Sequence, residues 1–427
     1  MRKLILALAI GAAAATAQAE PLLGGFVEGA WAVRTQQNPA LDGAGSELGF
    51  IERAYPRDEL RGQLTLQDGM GDADVFLRFD LVSDARASER TQLDLREAYV
   101  KLYLTDWLDI KAGRQVATWG TGDLVFANDL FAKDWQAFFT GLDDAYLKPP
   151  QDLLRLSAYL GGATAELALS PDFTPDNLPD GTRLAVYNPF LGEAAAAGAM
   201  PEVRRPAPGL RHGEIFGRLY GTRGSLEWAL YGYKGFWPTP QAVLMPADAE
   251  SAPALGYPRL ASGGASLRGP VGAWLVSLES AYYASLDDGA GDDPTLPNSE
   301  LRGIAGVERS LGGDWMLGAQ WFAIGMMNHD AYLEGVMPGG PTVDALRHTL
   351  TFRLTKMALD QRLVLSLFAY AGVTDGEWHL RPSLSHKLTE AVKLTLGASL
   401  LDGDHAWTQF GQFAGNDLVY ARLRYSF

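Results

Sequence analysis

Asp417-Leu-Val-Tyr-Ala-Arg-Leu-Arg-Tyr-Ser-Phe427 ends the chain. Every second residue is apolar: Val419, Ala421, Leu423, Tyr425 and Phe427. Between them stand Tyr420, Arg422, Arg424 and Ser426. Alternation with period two is a strand with two unlike faces. In a soluble sheet a terminal strand of this kind presents an unpaired, sticky edge. In a transmembrane barrel the last strand pairs with the first, and no edge remains. The stretch thus sets two expectations against each other, and the rest of the chain decides for the barrel.

The front of the chain reads as an export signal. Arg2 and Lys3 precede an apolar run from Leu4 to about Ala15, and Ala17-Gln-Ala19 supplies small residues for cleavage. Residues 1–19 are therefore expected to be a signal peptide, and 20–427 a single barrel domain. No later run reaches the roughly 18 apolar residues that a spanning helix needs. The chain has no Cys, which excludes disulfides and thiolate metal sites. It is 47% hydrophobic and turn-rich, with 48 Gly and 23 Pro. Aromatic residues, 11% of the total, suit girdles at two membrane interfaces. Loss of Arg2 and Lys3 takes the formal net charge from -15 to -17. That acidity speaks against nucleic acid as a partner. It fits an acidic outer rim that binds divalent cations or faces the lipopolysaccharide layer.

Eighteen alternating segments are read, from 24–34 to 417–427. In 60–67, Leu60, Leu64 and Leu66 oppose Arg61, Gln63, Thr65 and Gln67. In 346–356, Leu346, Leu350, Phe352 and Leu354 oppose Arg347, Thr349, Thr351, Arg353 and Thr355. The weakest segments, 261–268 and 377–386, leave sixteen strands as the alternative. Short connections such as Thr105-Asp-Trp107 and Arg223-Gly224 alternate with long ones: 35–59, 118–152, 171–213, 234–260, 285–299, 326–345 and 403–416. Only 83–94 and 373–376 blur the contrast. Long outer loops over short periplasmic turns are the arrangement of outer-membrane barrels. The expected fold is all-β, a transmembrane antiparallel β-barrel of about 18 strands, alternatively 16.

If the apolar phase meets lipid, the other phase is wet. It carries Arg34, Arg61, Arg78, Lys101, Lys111, Arg155, Arg218 and Arg268 in the first part of the chain. Later strands add Arg302, Arg347, Arg353, Arg362, Arg381, Lys393, Arg422 and Arg424. The acids of the same phase are Glu28, Asp80, Glu97, Asp109, Glu166, Glu214, Glu227, Glu279, Glu308 and Glu377. The balance is a lumen of roughly +6 inside an acidic protein. Rings of basic side chains favour anions. The competing reading is that these charges pair across strands and brace the wall.

Thr118 to Thr140 is too aromatic to stand in water: Trp119, Phe126, Phe131, Trp135, Phe138 and Phe139 lie within it. The expectation is a constriction loop near 118–152 folded into the bore, with Gly120 and Gly122 easing the entry. Packing over the barrel mouth or against a partner is the alternative.

Lys111-Ala-Gly-Arg-Gln115 followed by Trp119-Gly120 resembles the Gly-Arg-Gln and Trp-Gly pattern of Gram-negative porins, including the alginate-export type. The terminal strand closed by Phe427 resembles the C-terminal signal of bacterial outer-membrane proteins. The resemblance implies a large barrel with an Arg-lined lumen and places Arg114 and Gln115 near the constriction, with Arg114 facing the pore. Simple alternation puts Arg114 on the apolar phase, so that role requires a bulge or strand end at Gly113.

Other chemistries find little support. The six His are His212, His329, His348, His379, His386 and His405. His329-Asp330 and Asp404-His405 are sequence neighbours that point apart on an extended chain. His379 and Ser383 share a face but lie too far apart for direct bonding. No nucleophile elbow, phosphate loop or zinc-protease motif is present. Asp287-Asp288, Asp292-Asp293 and the pair Asp172 and Asp176 lack a calcium-loop spacing and read as solvated turns. A barrel sleeve around a periplasmic electron carrier is a third class, and a hydrolase a more distant one. The expectation is a porin passing small anionic or polar solutes, with no catalytic residue, no cofactor and no metal. Its partners would be membrane lipid, lipopolysaccharide, the solute and, through the Phe427 strand, the barrel-assembly machinery. Homo-oligomerisation is left open.

Overall fold

The computed structural model describes residues 21–42, 55–87, 89–246, 248, 251–337 and 340–427. The expected signal peptide lies outside the described residues. Eighteen strands form one closed antiparallel sheet. They are β1 (Leu22–Arg34), β2 (Arg57–Met70), β3 (Ala73–Asp84), β4 (Thr91–Thr105), β5 (Leu108–Gln115) and β6 (Gln151–Tyr159). There follow β7 (Ala163–Ser170), β8 (Glu214–Arg223), β9 (Leu226–Phe236), β10 (Arg259–Val271), β11 (Trp274–Ser285) and β12 (Glu300–Gly312). The last are β13 (Trp315–Met326), β14 (Leu346–Ala358), β15 (Leu363–Gly372), β16 (Glu377–Lys387), β17 (Val392–Gly403) and β18 (Leu418–Ser426). Among the described residues no helix is long and apolar enough to cross a membrane.

Closure follows from the terminal alternation. β1 pairs with β18 from Phe26↔Ser426 to Arg34↔Leu418. Beyond it, Gly25 and Phe427 exchange backbone hydrogen bonds of 3.0 Å in both directions. On β18 the outward Val419, Leu423 and Tyr425 are exposed, while the inward Leu418 and Arg422 are buried. A soluble sheet buries its apolar face. Here the apolar face is the outside of a tube, which water would not tolerate and lipid does.

Both weak segments form strands, β10 and β16, and the count is eighteen. The weakness of β16 has a cause. Pro382 has no N–H to give the ladder, and the β16–β17 register skips from Leu380↔Leu400 to Ser383↔Gly397. Turns at one end are short: Gly224 (φ 64°) and Gly272 (φ 61°) take the left-handed conformation that two-residue hairpins demand. The connections at the other end are longer. Two of them fold partly on each other, where Val203–Arg204 pairs with Ala254–Gly256, which in turn pairs with Ala242–Leu244.

Candidate functional site

Between β5 and β6 the chain makes an excursion over residues 116–150. Its neck is held by Glu279 in the middle of β11. Thr121 donates to Glu279 Oε2 from its backbone N (2.6 Å) and its hydroxyl (2.8 Å). Asn128 donates to Oε1 from its backbone N (2.8 Å) and its side-chain amide (3.1 Å). Asn128 presses on the β10 backbone, and a Cβ on Gly264 would come within 2.0 Å of its Oδ1. The Asp123 N–H donates to Gln320 of β13 at 2.8 Å. Arg353 of β14 grips the Asp123 carboxylate with two N–H groups at 2.5 and 2.9 Å. Tyr283 of β11 and Tyr370 of β15 donate to the carbonyls of Ala127 (2.7 Å) and Leu124 (2.9 Å). On the return arm Asp144 meets Arg381 of β16 at 2.7 Å, and Asp143 meets Arg422 of β18 at 3.1 Å. Tyr146 donates to Asp80 of β3 at 3.1 Å. Contacts with inward residues on strands so widely spread around the wall place the excursion across the barrel interior.

Apolar burial draws the same segment inward. Phe131 stacks on Phe216 of β8 at 4.3 Å between centroids, with Trp119 edge-on at 5.1 Å. A short helix, Trp135–Phe139, starts where the Asp134 side chain accepts the Ala137 N–H. It delivers Phe138 and Phe139 to His379 of β16 and Phe139 to Phe413 at 4.5 Å. Trp135 meets Phe126 at 6.0 Å. Phe131, Phe138 and Phe139 are almost fully buried. Each such ring stabilises the insertion by roughly 2 kcal/mol.

Loop carboxylates report two environments. Burial alone would raise the Asp143 carboxyl, but Arg422, the Ala145 N–H, Arg424 and Lys393 outweigh it and hold it below the usual range. At Asp176, in the connection 171–213, burial wins and pushes the carboxyl up to about 6, although Lys133 and two N–H donors oppose it. Those donors are the Lys133 backbone and the Trp135 indole, both at 2.8 Å, so Asp176 ties the connection to the excursion.

The basic residues of the wet phase are mostly paired. Arg61 bridges Glu59 (2.8 Å) and Asp80 (2.5 Å) beneath the Tyr146 ring. Arg78 meets Glu97 at 2.6 Å and Lys101 meets Asp109 at 3.0 Å. Arg155 and Arg218 share Glu166 at 2.9 and 2.5 Å. Arg218 also lies over the Trp119 ring, 5.2 Å from its centroid. Arg302 and Arg347 share Glu300 at 2.7 and 3.8 Å. Arg424 meets Glu28 at 2.8 Å and lies 3.8 Å from Asp143. Lys111 and Lys393 differ. Lys111 Nζ sits 3.6 Å from the centroid of the Tyr99 ring. Neither lysine has a carboxylate in ion-pair contact among the described residues. Lys101, Lys111 and Arg155 are successive register partners on β4, β5 and β6, a row of three cations along one side of the bore.

Two residues stand elsewhere than alternation or resemblance would put them. Arg362 precedes β15 and lies exposed in the turn, donating to the Leu359 carbonyl at 3.2 Å. Arg114 donates to the Leu95 carbonyl (2.7 Å) and lies 3.6 Å from Asp152. Gly113 has φ 132°, but the β5–β6 register runs unbroken from Leu108 to Gln115, so no residue is inserted and the phase does not shift. Arg114 and Asp152 therefore share the phase of Ala112 and Leu154, which are exposed on the outer wall. The inward place is taken by Gln115, which is fully buried.

Sequence reasoning missed three arginines. Arg57 pairs with Glu59 at 2.5 Å and donates to Thr140, above the point where apolar alternation begins. Arg183, in the connection 171–213, reaches Asp84 at 2.5 Å. Arg96 sits at a bulge where Glu97↔Arg78 is followed by Leu95↔Phe79, and it donates to the Ala145 carbonyl at 2.7 Å. A bulge leaves no mark in alternation. His379 Nε2 lies 2.9 Å from Ser399, not Ser383. No group of three metal-ligating side chains occurs among the described residues.

No family model and no curated protein matches the chain. Solved structures do match in fold. OccAB3 of Acinetobacter baumannii aligns over 96% of this chain and 99% of its own, with TM-score 0.54 and 8% identity. A BenF-like porin from Pseudomonas fluorescens Pf-5 aligns over 96% and 98%, with TM-score 0.54 and 11% identity. Pseudomonas aeruginosa OccK2 (OpdF), solved in complex with glucuronate, aligns over 96% and 97%, with TM-score 0.54 and 11% identity. The closed antiparallel barrel described above is thus the fold of Gram-negative outer-membrane porins.

Proposed function

We propose that the chain is an outer-membrane porin through which small anionic or polar solutes diffuse passively. The observation that carries the reading is the pair Lys111 and Lys393, inward cations with no carboxylate in contact among the described residues. The row Lys101, Lys111 and Arg155 extends one of them along the wall. Cations on a pore wall lower the cost of stripping water from an anion. The carboxylates beside them, Asp109 and Glu166, keep that attraction weak enough for release. The reading assigns no catalysed reaction. Glucuronate, bound by the structural neighbour OccK2, is a solute of the proposed class. The excursion across the interior favours a narrow path over a sleeve filled by a partner protein. Assembly through the Phe427 strand into a membrane faced by lipopolysaccharide belongs to the same proposal.

The test is the reversal potential of single channels under a KCl gradient. Anion preference is expected in the wild type, and it falls or inverts in Lys111→Glu with Lys393→Glu. Cation preference in the wild type, or a folded protein that never conducts, overturns the proposal.

A further inference from the structure

Three aspartates of the excursion lie on three arginines of the wall. Asp123 is held by Arg353 on β14, Asp144 by Arg381 on β16 and Asp143 by Arg422 on β18. The Arg353 contact is two-pronged, the geometry in which a guanidinium takes any carboxylate. The aspartates are not sealed in: the side chains of Asp123 and Asp144 are 41% and 48% exposed. No strand pairing fixes them, because residues 116–150 take no share in the barrel sheet; the one local tie among the described residues is the Asp143 side chain, which accepts the Ala145 N–H at 3.2 Å to cap the 3-10 turn Asp144–Leu147.

We propose that Asp123, Asp143 and Asp144 are internal ligands occupying the arginines that a solute carboxylate would take, so that the path is gated by its own cargo. The inference rests on the porin reading above. Exchanging one carboxylate for another on the same guanidinium keeps the number of ion pairs constant. The freed aspartate returns to water that it already partly touches. A tethered ligand competes at an effective concentration in the millimolar range, so a carboxylate at millimolar level displaces it. Glu279 keeps the neck at Thr121 and Asn128 in place, and displacement loosens the excursion without expelling it. A neutral solute offers nothing to exchange and leaves the open probability at its level in KCl alone.

The experiment uses the full chain in a planar bilayer at constant ionic strength, with potassium acetate replacing part of the KCl and glucose as the neutral control. In the wild type, millimolar acetate is expected to raise open probability about twofold or more, and glucose to leave it unchanged. The Asp123→Asn, Asp143→Asn, Asp144→Asn variant is expected to be open in KCl alone and indifferent to acetate. Heat-modifiable gel mobility verifies folding. If the triple variant does not fold, Asp123→Asn and Asp144→Asn singly carry the test, each with part of the acetate response lost. A folded variant that conducts and responds as the wild type does overturns the gate while anion preference stands. A wild type that prefers cations overturns the porin reading itself, and the two failures are distinct.

Discussion

Glu279 Oε1 accepts both the backbone N–H of Asn128 at 2.8 Å and its side-chain amide at 3.1 Å. With Thr121 on the other oxygen, one buried carboxylate ties together two points of the outgoing arm of the excursion. Glu279→Ala leaves the buried Asn128 N–H and the half-buried Thr121 N–H without acceptors, at a cost of about 1–3 kcal/mol for the buried one and less for the other. The expected result is a wider and noisier channel, read as higher single-channel conductance with larger open-state current fluctuations. A trace identical to the wild type would remove the clamp from the account.

Arg114 shares its phase with the outward Ala112 and Leu154. Arg114→Ala is therefore expected to leave the reversal potential unchanged. The pair with Asp152 is loose, at 3.6 Å. A selectivity shift as large as that from Lys111→Glu would show that Arg114 reaches the solute path.

Asp176 supplies a pH dependence. Burial lifts its carboxyl to about 6 in the folded chain, above its ordinary value near 3.8. The folded state then binds more protons than the unfolded one between those values. Stability from this group is complete below about pH 4 and is lost as pH rises through about 6, a change on the order of 1–3 kcal/mol. The apparent melting temperature in detergent is expected to fall across that window, and the slope to flatten in Asp176→Asn. Equal slopes in the two proteins would assign the effect to another group.

Phe427 exchanges two backbone hydrogen bonds with Gly25 at the seam. Its ring lies so close that a Cβ on Gly25 would come within 2.9 Å of it. Deleting Phe427 is expected to lower the yield of folded barrel, measured as the fraction with heat-modifiable mobility. Full yield would mean that β1 and β18 hold the seam without their terminal residue.

The wall was legible in the sequence because two solvents impose opposite demands on its two faces. Leu346, Leu350 and Phe352 against Arg347, Thr351 and Arg353 record that contrast residue by residue. Legibility failed where the contrast is absent. Arg57 and Glu59 precede the alternating run that starts at Leu60, Arg362 lies in a turn, and Arg96 sits at a bulge that alternation cannot register. Pairing was hidden for another reason. Arg353 finds Asp123 230 positions away, and nothing local in either stretch names the other. The aromatic content of 118–140 did mark the excursion, since so many rings need cover. It did not reveal that aspartates would carry its contacts with the wall.

β5 and β6, which flank the excursion, are only 8 and 9 residues long, yet both are laced into their neighbours on either side. The segment between them can change its acidic residues without disturbing a single rung of the ladder. Assembly of the wall and the proposed response to cargo thus reside in separate stretches of one gene. A lineage could retune the proposed gate by editing some thirty-five codons, while selection on assembly continued to police the remainder.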